Sequence, residues 1–184
     1  KWWNGRDVVT LITRPRRFGK TLNMSTLNCF FSNRFENRGD LFEGMKIWEA
    51  TDMREQQGKW PVIFLSFAGI KGTTYADTMI QTKDMLVKLF SGFPELWEYE
   101  GLHPNERRSL EKITEDMSDV HAALSINLLS GLLEKIHGRK VLIFLDEYDT
   151  PLQEAYINGY WDELVAFTRT MFNNAFKTNP SMER

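Results

Sequence analysis

Three short stretches of this chain are apolar at successive positions, and that feature limits its folding options most. They are Val8-Val9-Thr10-Leu11-Ile12-Thr13, Pro61-Val62-Ile63-Phe64-Leu65-Ser66-Phe67 and Lys140-Val141-Leu142-Ile143-Phe144-Leu145. None alternates in the way a half-exposed strand does. A strand apolar on both faces needs cover on both faces, as in a parallel sheet flanked by helices. The intervening segments supply that cover. Residues 75–90 carry Ala76, Met79, Ile80, Leu86, Val87 and Phe90 at helical spacing. Residues 119–137 do the same with Leu124, Leu128, Leu132 and Ile136, and Gly138 is placed to end that helix. Strands separated by helices imply right-handed crossovers and an α/β parallel sheet. A short helix is expected within 41–48, a polar one over 104–116, and a loop framed by Pro151 and Gly159. A last amphipathic helix carries Trp161, Leu164, Val165, Thr168, Phe172, Ala175 and Phe176.

Composition narrows the class. The chain has 184 residues, 42% hydrophobic and 26% charged, with a net charge of −2. That fits one soluble globular domain and argues against a surface built throughout to coat nucleic acid or anionic lipid. Cys29 is the single cysteine, so no intrachain disulfide forms and the cytoplasm is the expected compartment. His103, His121 and His137 share no ligand-like spacing, which argues against a structural zinc site. No apolar run is long enough to span a bilayer and no signal-peptide pattern is read, so no membrane partner is expected. The chain opens on Lys1-Trp2-Trp3 without Met and stops at Met182-Glu183-Arg184, which reads as a piece of a longer protein.

Two motifs carry chemistry. The first runs from the end of the first apolar stretch: Arg14-Pro15-Arg16-Arg17-Phe18-Gly19-Lys20-Thr21, followed by a helical pattern with Leu22, Met24, Leu27, Cys29, Phe30 and Phe31. Gly-Lys-Thr between a strand and a helix is the tail of a phosphate-binding loop. There, loop and helix-start N–H groups face phosphate oxygens, the lysine meets the β- and γ-phosphates, and the threonine hydroxyl ligates Mg²⁺. The pattern asks for Gly where this chain has Arg14. Alternatively, the stretch is a basic solvated loop before a helix. Arg14, Arg16, Arg17 and Lys20 suit triphosphate or nucleic acid, although a solvated position is favoured for Arg14.

The second motif is residues 141–147, an apolar run ending in Asp146-Glu147. This is the Walker B pattern, in which Asp146 would hold Mg²⁺ and Glu147 would act as general base on water. Ligands in open α/β sheets sit beyond the carboxyl ends of the strands, so the two motifs should converge there. Asp149 is either a further carboxylate on the metal side or a turn former, the latter being commoner. The aromatics at Trp2-Trp3 and Trp97 to Tyr99 read as core or interface. The long separation between the motifs calls for an insertion, expected over about 91–118.

The two motif blocks, together with Pro61-Val62-Ile63-Phe64-Leu65-Ser66-Phe67 and the continuation Tyr148-Asp149-Thr150-Pro151-Leu152, resemble the AAA-ATPase-like family of predicted bacterial ATPases. The likeness covers essentially the whole chain, and Arg in place of the first Gly is a trait of that family. It implies an ASCE (AAA-like) P-loop NTPase fold over 1–184, with ATP and Mg²⁺ as cofactors and the cytoplasm as location. Arg16, Arg17, Phe18, Gly19, Lys20, Thr21 and Leu22 would bind nucleotide, Thr21 and Asp146 the metal, with Lys20 and Glu147 catalytic. It also implies a polar sensor strand between the strands of the two motifs, expected to lie past the end of this chain with any arginine-bearing lid. A C-terminal PD-(D/E)xK nuclease-like domain often follows in the family and could bring a nucleic-acid partner. No lysine here has Asp or Glu two positions before it, so these residues hold no such nuclease core.

Three readings follow. The first is a Mg²⁺-dependent ATPase. The second is a nucleotide-binding switch with little turnover, coupled to a nuclease-like or partner domain. The third is a nucleic-acid binder using the arginine loop. The Asp146-Glu147 pair favours the first over the second, and a net charge near zero disfavours the third. Lacking its sensor strand, the chain alone is expected to be poorly stable and weakly active or inactive.

Overall fold

The computed structural model describes residues 3, 5, 7–13 and 18–184. At its centre, β1 (Val62–Ser66) and β2 (Leu142–Asp146) pair in parallel. The register sets Val62 beside Leu142 and Ser66 beside Asp146, so both carboxyl ends finish level. Side chains alternate across this sheet. Ile63, Leu65, Val141 and Ile143 enter one core, whereas Val62, Leu142 and Phe144 enter another with Phe30, Phe31 and Phe42. The expected parallel sheet, covered on both faces, is therefore present as a pair of strands among the described residues.

The second face is covered by α1 (Lys20–Phe31). Trp3 stacks on Phe31 at 4.8 Å and meets Trp60 edge-on at 5.2 Å, so this aromatic belongs to the core. Short helices α2 (Lys46–Glu49) and α3 (Thr51–Arg54) follow, with a 3₁₀ turn at Gly39–Phe42 before them. The first face is covered by α4 (Tyr75–Ser91) and α7 (Asp119–His137). Both start at hydroxyl caps: Thr74 accepts from Asp77 N–H, and Ser118 from His121 N–H. Gly138, at φ 65°, ends α7 as expected. Between them, α5 (Glu95–Glu98) and α6 (Pro104–Glu111) bury Leu96 and Leu110 in the same core.

Tyr75 Oη donates to Asp119 Oδ2 at 2.8 Å, and Lys83 pairs with the other oxygen at 2.9 Å, tying α4 to α7. Burial and the adjacent Asp119 push the Tyr75 hydroxyl pKa up.

Three expectations need correction. Residues 8–13 form no strand. Val8, Val9, Leu11 and Ile12 are exposed, and among the described residues their backbones join no ladder. A strand exists only through its neighbour, and the edge of β2 away from β1 is already taken. There, Val141 N–H donates to Ser181 C=O, Glu183 N–H to Val141 C=O and Ile143 N–H to Arg184 C=O, each at 2.8 Å. Residues 181–184 thus occupy part of that edge, and the Arg184 guanidinium donates to the Asp7 carbonyl at 2.9 Å.

The loop expected between Pro151 and Gly159 is a helix, α8 (Thr150–Asn158). Pro151 sits in its first turn, where no N–H is needed, and Gly159 ends it at φ 84°. Finally, Ile80 and Leu124 face solvent. The buried face of α4 runs through Met79, Leu86 and Phe90, and that of α7 through Ala122, Ile126, Leu129 and Leu133. The last helix, α9 (Trp161–Phe172), buries Leu164, Phe167 and Met171 and runs into a wider turn over Asn173–Lys177.

Candidate functional site

Gly19 precedes α1 with φ 71° and ψ 24°, a left-handed conformation that costs glycine little. Among the described residues no side chain caps this helix. Its ladder starts with Asn23 N–H donating to Gly19 C=O at 2.9 Å. The N–H groups of Lys20, Thr21 and Leu22 therefore precede the first helical bond, at the positive end of the helix dipole. Among the described residues, a Cβ on Gly19 would meet nothing within 4 Å.

The carboxyl end of β2 lies across from this. Asp146 is 4% exposed, and its Oδ2 is buried without a hydrogen-bond partner among the described residues. A carboxylate oxygen left bare in the interior is costly, and such an atom fits one that awaits a cation or its water. Glu147 follows with φ 53°, unusual for a residue with a side chain. Its carbonyl accepts from Thr150 N–H at 3.0 Å, and its Oε2 from Thr150 Oγ1 at 3.4 Å. This turn starts α8, and Asp149 Oδ2 accepts from Gln153 Nε2 at 2.7 Å. Asp149 thus serves the local turn and helix start.

A cleft of about 680 Å³ joins these parts. Gly19, Lys20, Thr21 and Leu22 line one wall, Glu147, Thr150, Gln153 and Glu154 another, and Ala68 and Lys71 a third. Of the expected site residues, the cleft brings together Gly19, Lys20, Thr21, Leu22 and Glu147. Phe18 is 64% exposed and is not among these lining residues. Asp146 lies buried next to Glu147. Arg16 and Arg17, with Arg14 and Pro15, lie outside the described residues.

The chain matches the family model described as "Predicted AAA-ATPase" over residues 4–184. It belongs to that family. No curated protein and no solved structure matches it. The family name is that of a nucleotide-using ATPase, and a cleft lined by a helix N-terminus and a strand-end carboxylate suits an anionic ligand with a metal.

Among the described residues of this AAA-ATPase-like chain, no three His, Cys, Asp or Glu side chains cluster to cage a metal. A divalent ion here would depend on Thr21, Asp146, water and ligand oxygens, which is the usual manner for Mg²⁺. No helix among the described residues is long and apolar enough to cross a membrane.

Sequence reasoning missed Ala68, Lys71, Thr150, Gln153 and Glu154. The strand-end rule applied to residues 141–147 also applies to β1, and would have marked the segment after Ser66. Gln153 and Glu154 were hidden by reading α8 as a loop.

Proposed function

We propose that this chain binds Mg²⁺–ATP in the cleft and hydrolyses it. The observation that carries this reading is that Lys20, Thr21 and Glu147 line one cleft beside Asp146, whose Oδ2 has no partner among the described residues. The N–H groups of Lys20, Thr21 and Leu22 receive phosphate oxygens, and Lys20 adds its charge at the β- and γ-phosphates. Arg16 and Arg17 would add positive charge toward the phosphates, and Phe18 belongs to the same loop without lining the cleft. Thr21 and Asp146 hold the metal, which when bound neutralises charge building on the phosphates. Glu147 accepts a proton from the attacking water, and Thr150 Oγ1, donating to its carboxylate, orients it.

The site belongs to one P-loop domain over 1–184, with 91–118 as an insertion, working in the cytoplasm. The edge of β2 held by residues 181–184 is where a sensor strand would lie.

The test is nucleotide binding and steady-state turnover by the natural protein at full length. Lys20→Ala should abolish binding. Glu147→Gln should keep binding and lose turnover by about a hundredfold or more, in the range for a general base. Wild type and Glu147→Gln behaving alike would favour the switch reading instead. Binding unchanged in Lys20→Ala would overturn the phosphate site. Affinity for nucleic acid that falls steeply with salt and survives Glu147→Gln would favour the arginine loop as a nucleic-acid site.

A further inference from the structure

Among the described residues that line the cleft, Lys71 is the one cation that no motif accounts for, and the fold holds its backbone at several points. β1 ends beside β2, and Phe67 N–H donates to Asp146 C=O at 3.0 Å, so the chain after β1 leaves next to Glu147. Ile70 N–H then donates to Phe67 C=O at 3.0 Å, closing a turn whose ends, Phe67 and Ile70, are each 3% exposed. Lys71 N–H donates to Gln81 Oε1 of α4 at 2.8 Å. Gly72 C=O accepts from the buried Tyr160 hydroxyl at 2.6 Å. Any Cβ on Gly72 would collide with Thr78.

Phe67, Ile70 and Gly72 are thus fixed in the interior, whereas the Lys71 side chain is exposed and lines the cleft. Among the described residues neither Lys71 nor Lys20 forms an ion pair. An exposed lysine normally keeps its freedom at both backbone and side chain. Here the backbone is held, and the side chain starts from a fixed point on the cleft wall.

We propose that Lys71 is a second phosphate-binding cation, supplied by the same chain, for the terminal phosphate of a nucleoside triphosphate. This rests on the nucleotide reading above. Lys20 approaches from the α1 wall. Lys71 approaches from the β1 wall, on the side where Glu147 meets the attacking water. A terminal phosphate facing Glu147 therefore lies between the two lysines, while the phosphates of a diphosphate stay with Lys20 and the helix N-terminus. Lys71 distinguishes triphosphate from diphosphate, and its charge opposes the negative charge on the phosphoryl oxygens as the bond to the leaving diphosphate breaks.

The experiment measures Mg²⁺–ATP and Mg²⁺–ADP affinities by calorimetry on the full-length protein, for wild type, Lys71→Ala, Lys71→Arg and Lys20→Ala. Losing one charged hydrogen bond should weaken ATP about tenfold or more in Lys71→Ala and leave ADP within about twofold. Lys71→Arg should recover most of the loss, and unfolding midpoints without nucleotide should match wild type. ATP and ADP weakening together, or neither weakening, while Lys20→Ala loses both, would overturn the role of Lys71 and leave the nucleotide site standing. Wild type binding neither nucleotide, or Lys20→Ala binding both normally, would overturn the site and this proposal with it.

Discussion

Replacing Asp146 by Asn should change stability in opposite directions with and without nucleotide. The carboxylate is 4% exposed and its Oδ2 has no hydrogen-bond partner among the described residues. An unsatisfied buried polar group costs about 1–3 kcal/mol, and more when charged. Asn keeps the shape and removes the charge, so the nucleotide-free variant should gain about 1 kcal/mol over wild type. For a chain of this size that is a rise of about 2–4 °C in the unfolding midpoint. Saturation reverses the order. Wild type at a hundred times its dissociation constant gains about 2.7 kcal/mol from Mg²⁺–ATP, and a variant that cannot hold the metal gains almost nothing. The variant should then unfold roughly 3–7 °C below wild type. Scanning fluorimetry on both proteins, with and without Mg²⁺–ATP, reads all four values. An Asn variant less stable than wild type without nucleotide would mean the carboxylate already has a structural partner, which removes the observation linking Asp146 to a metal. Two parallel pairs of curves, both raised by Mg²⁺–ATP, would refute the metal role directly.

Tyr160→Phe should lower stability by about 1–3 kcal/mol in urea unfolding. The phenol has one proton, which it donates to Gly72 C=O, so it must accept from Thr78 Oγ1; removing it strands both groups in the interior. An unchanged midpoint would refute that account of the loop. Stability should also fall on the acid side. The Glu106 carboxyl is held below its ordinary 4.5 by the hydrogen bond from Lys135, against burial and with help from His103 N–H. Burial pushes Asp119 up, but the hydrogen bonds from Lys83 and Tyr75 outweigh it and hold it below its ordinary 3.8. Depressed carboxyls stabilise the fold above their unfolded values, and that contribution disappears as pH falls through the lower folded ones. Urea midpoints should therefore hold from neutral pH to about 5 and drop below it, by under about 1 kcal/mol per pair because both are partly solvated. Glu106→Gln with Asp119→Asn should flatten that limb, and an unaltered slope would count against these pairs.

Much of the frame was legible because it is written locally. β2 is a run of apolar residues bounded by Lys140 and Asp146, and α7 begins at a serine and ends at a glycine, so pattern and punctuation agree. Residues 8–13 have equally strong strand character and are not a strand, because pairing is a property of two segments and the neighbouring edge of β2 belongs to residues 181–184. Pro151 misled in the opposite way, since a proline that breaks a helix interior suits a first turn.

The site divides along the same line. Gly19, Lys20, Thr21 and Glu147 were visible because each sits in a short consecutive pattern at the end of a run. Lys71 sits in none. It reaches the cleft through the register of β1 on β2, the glutamine of α4 and the tyrosine at the start of α9. Those contacts lie 10 and 88 positions apart in the chain, a distance that no local pattern spans. A residue placed by tertiary contacts alone is silent in one sequence, and its role has to be argued from what holds it. Here what is held is the backbone, with the charge left free at the cleft.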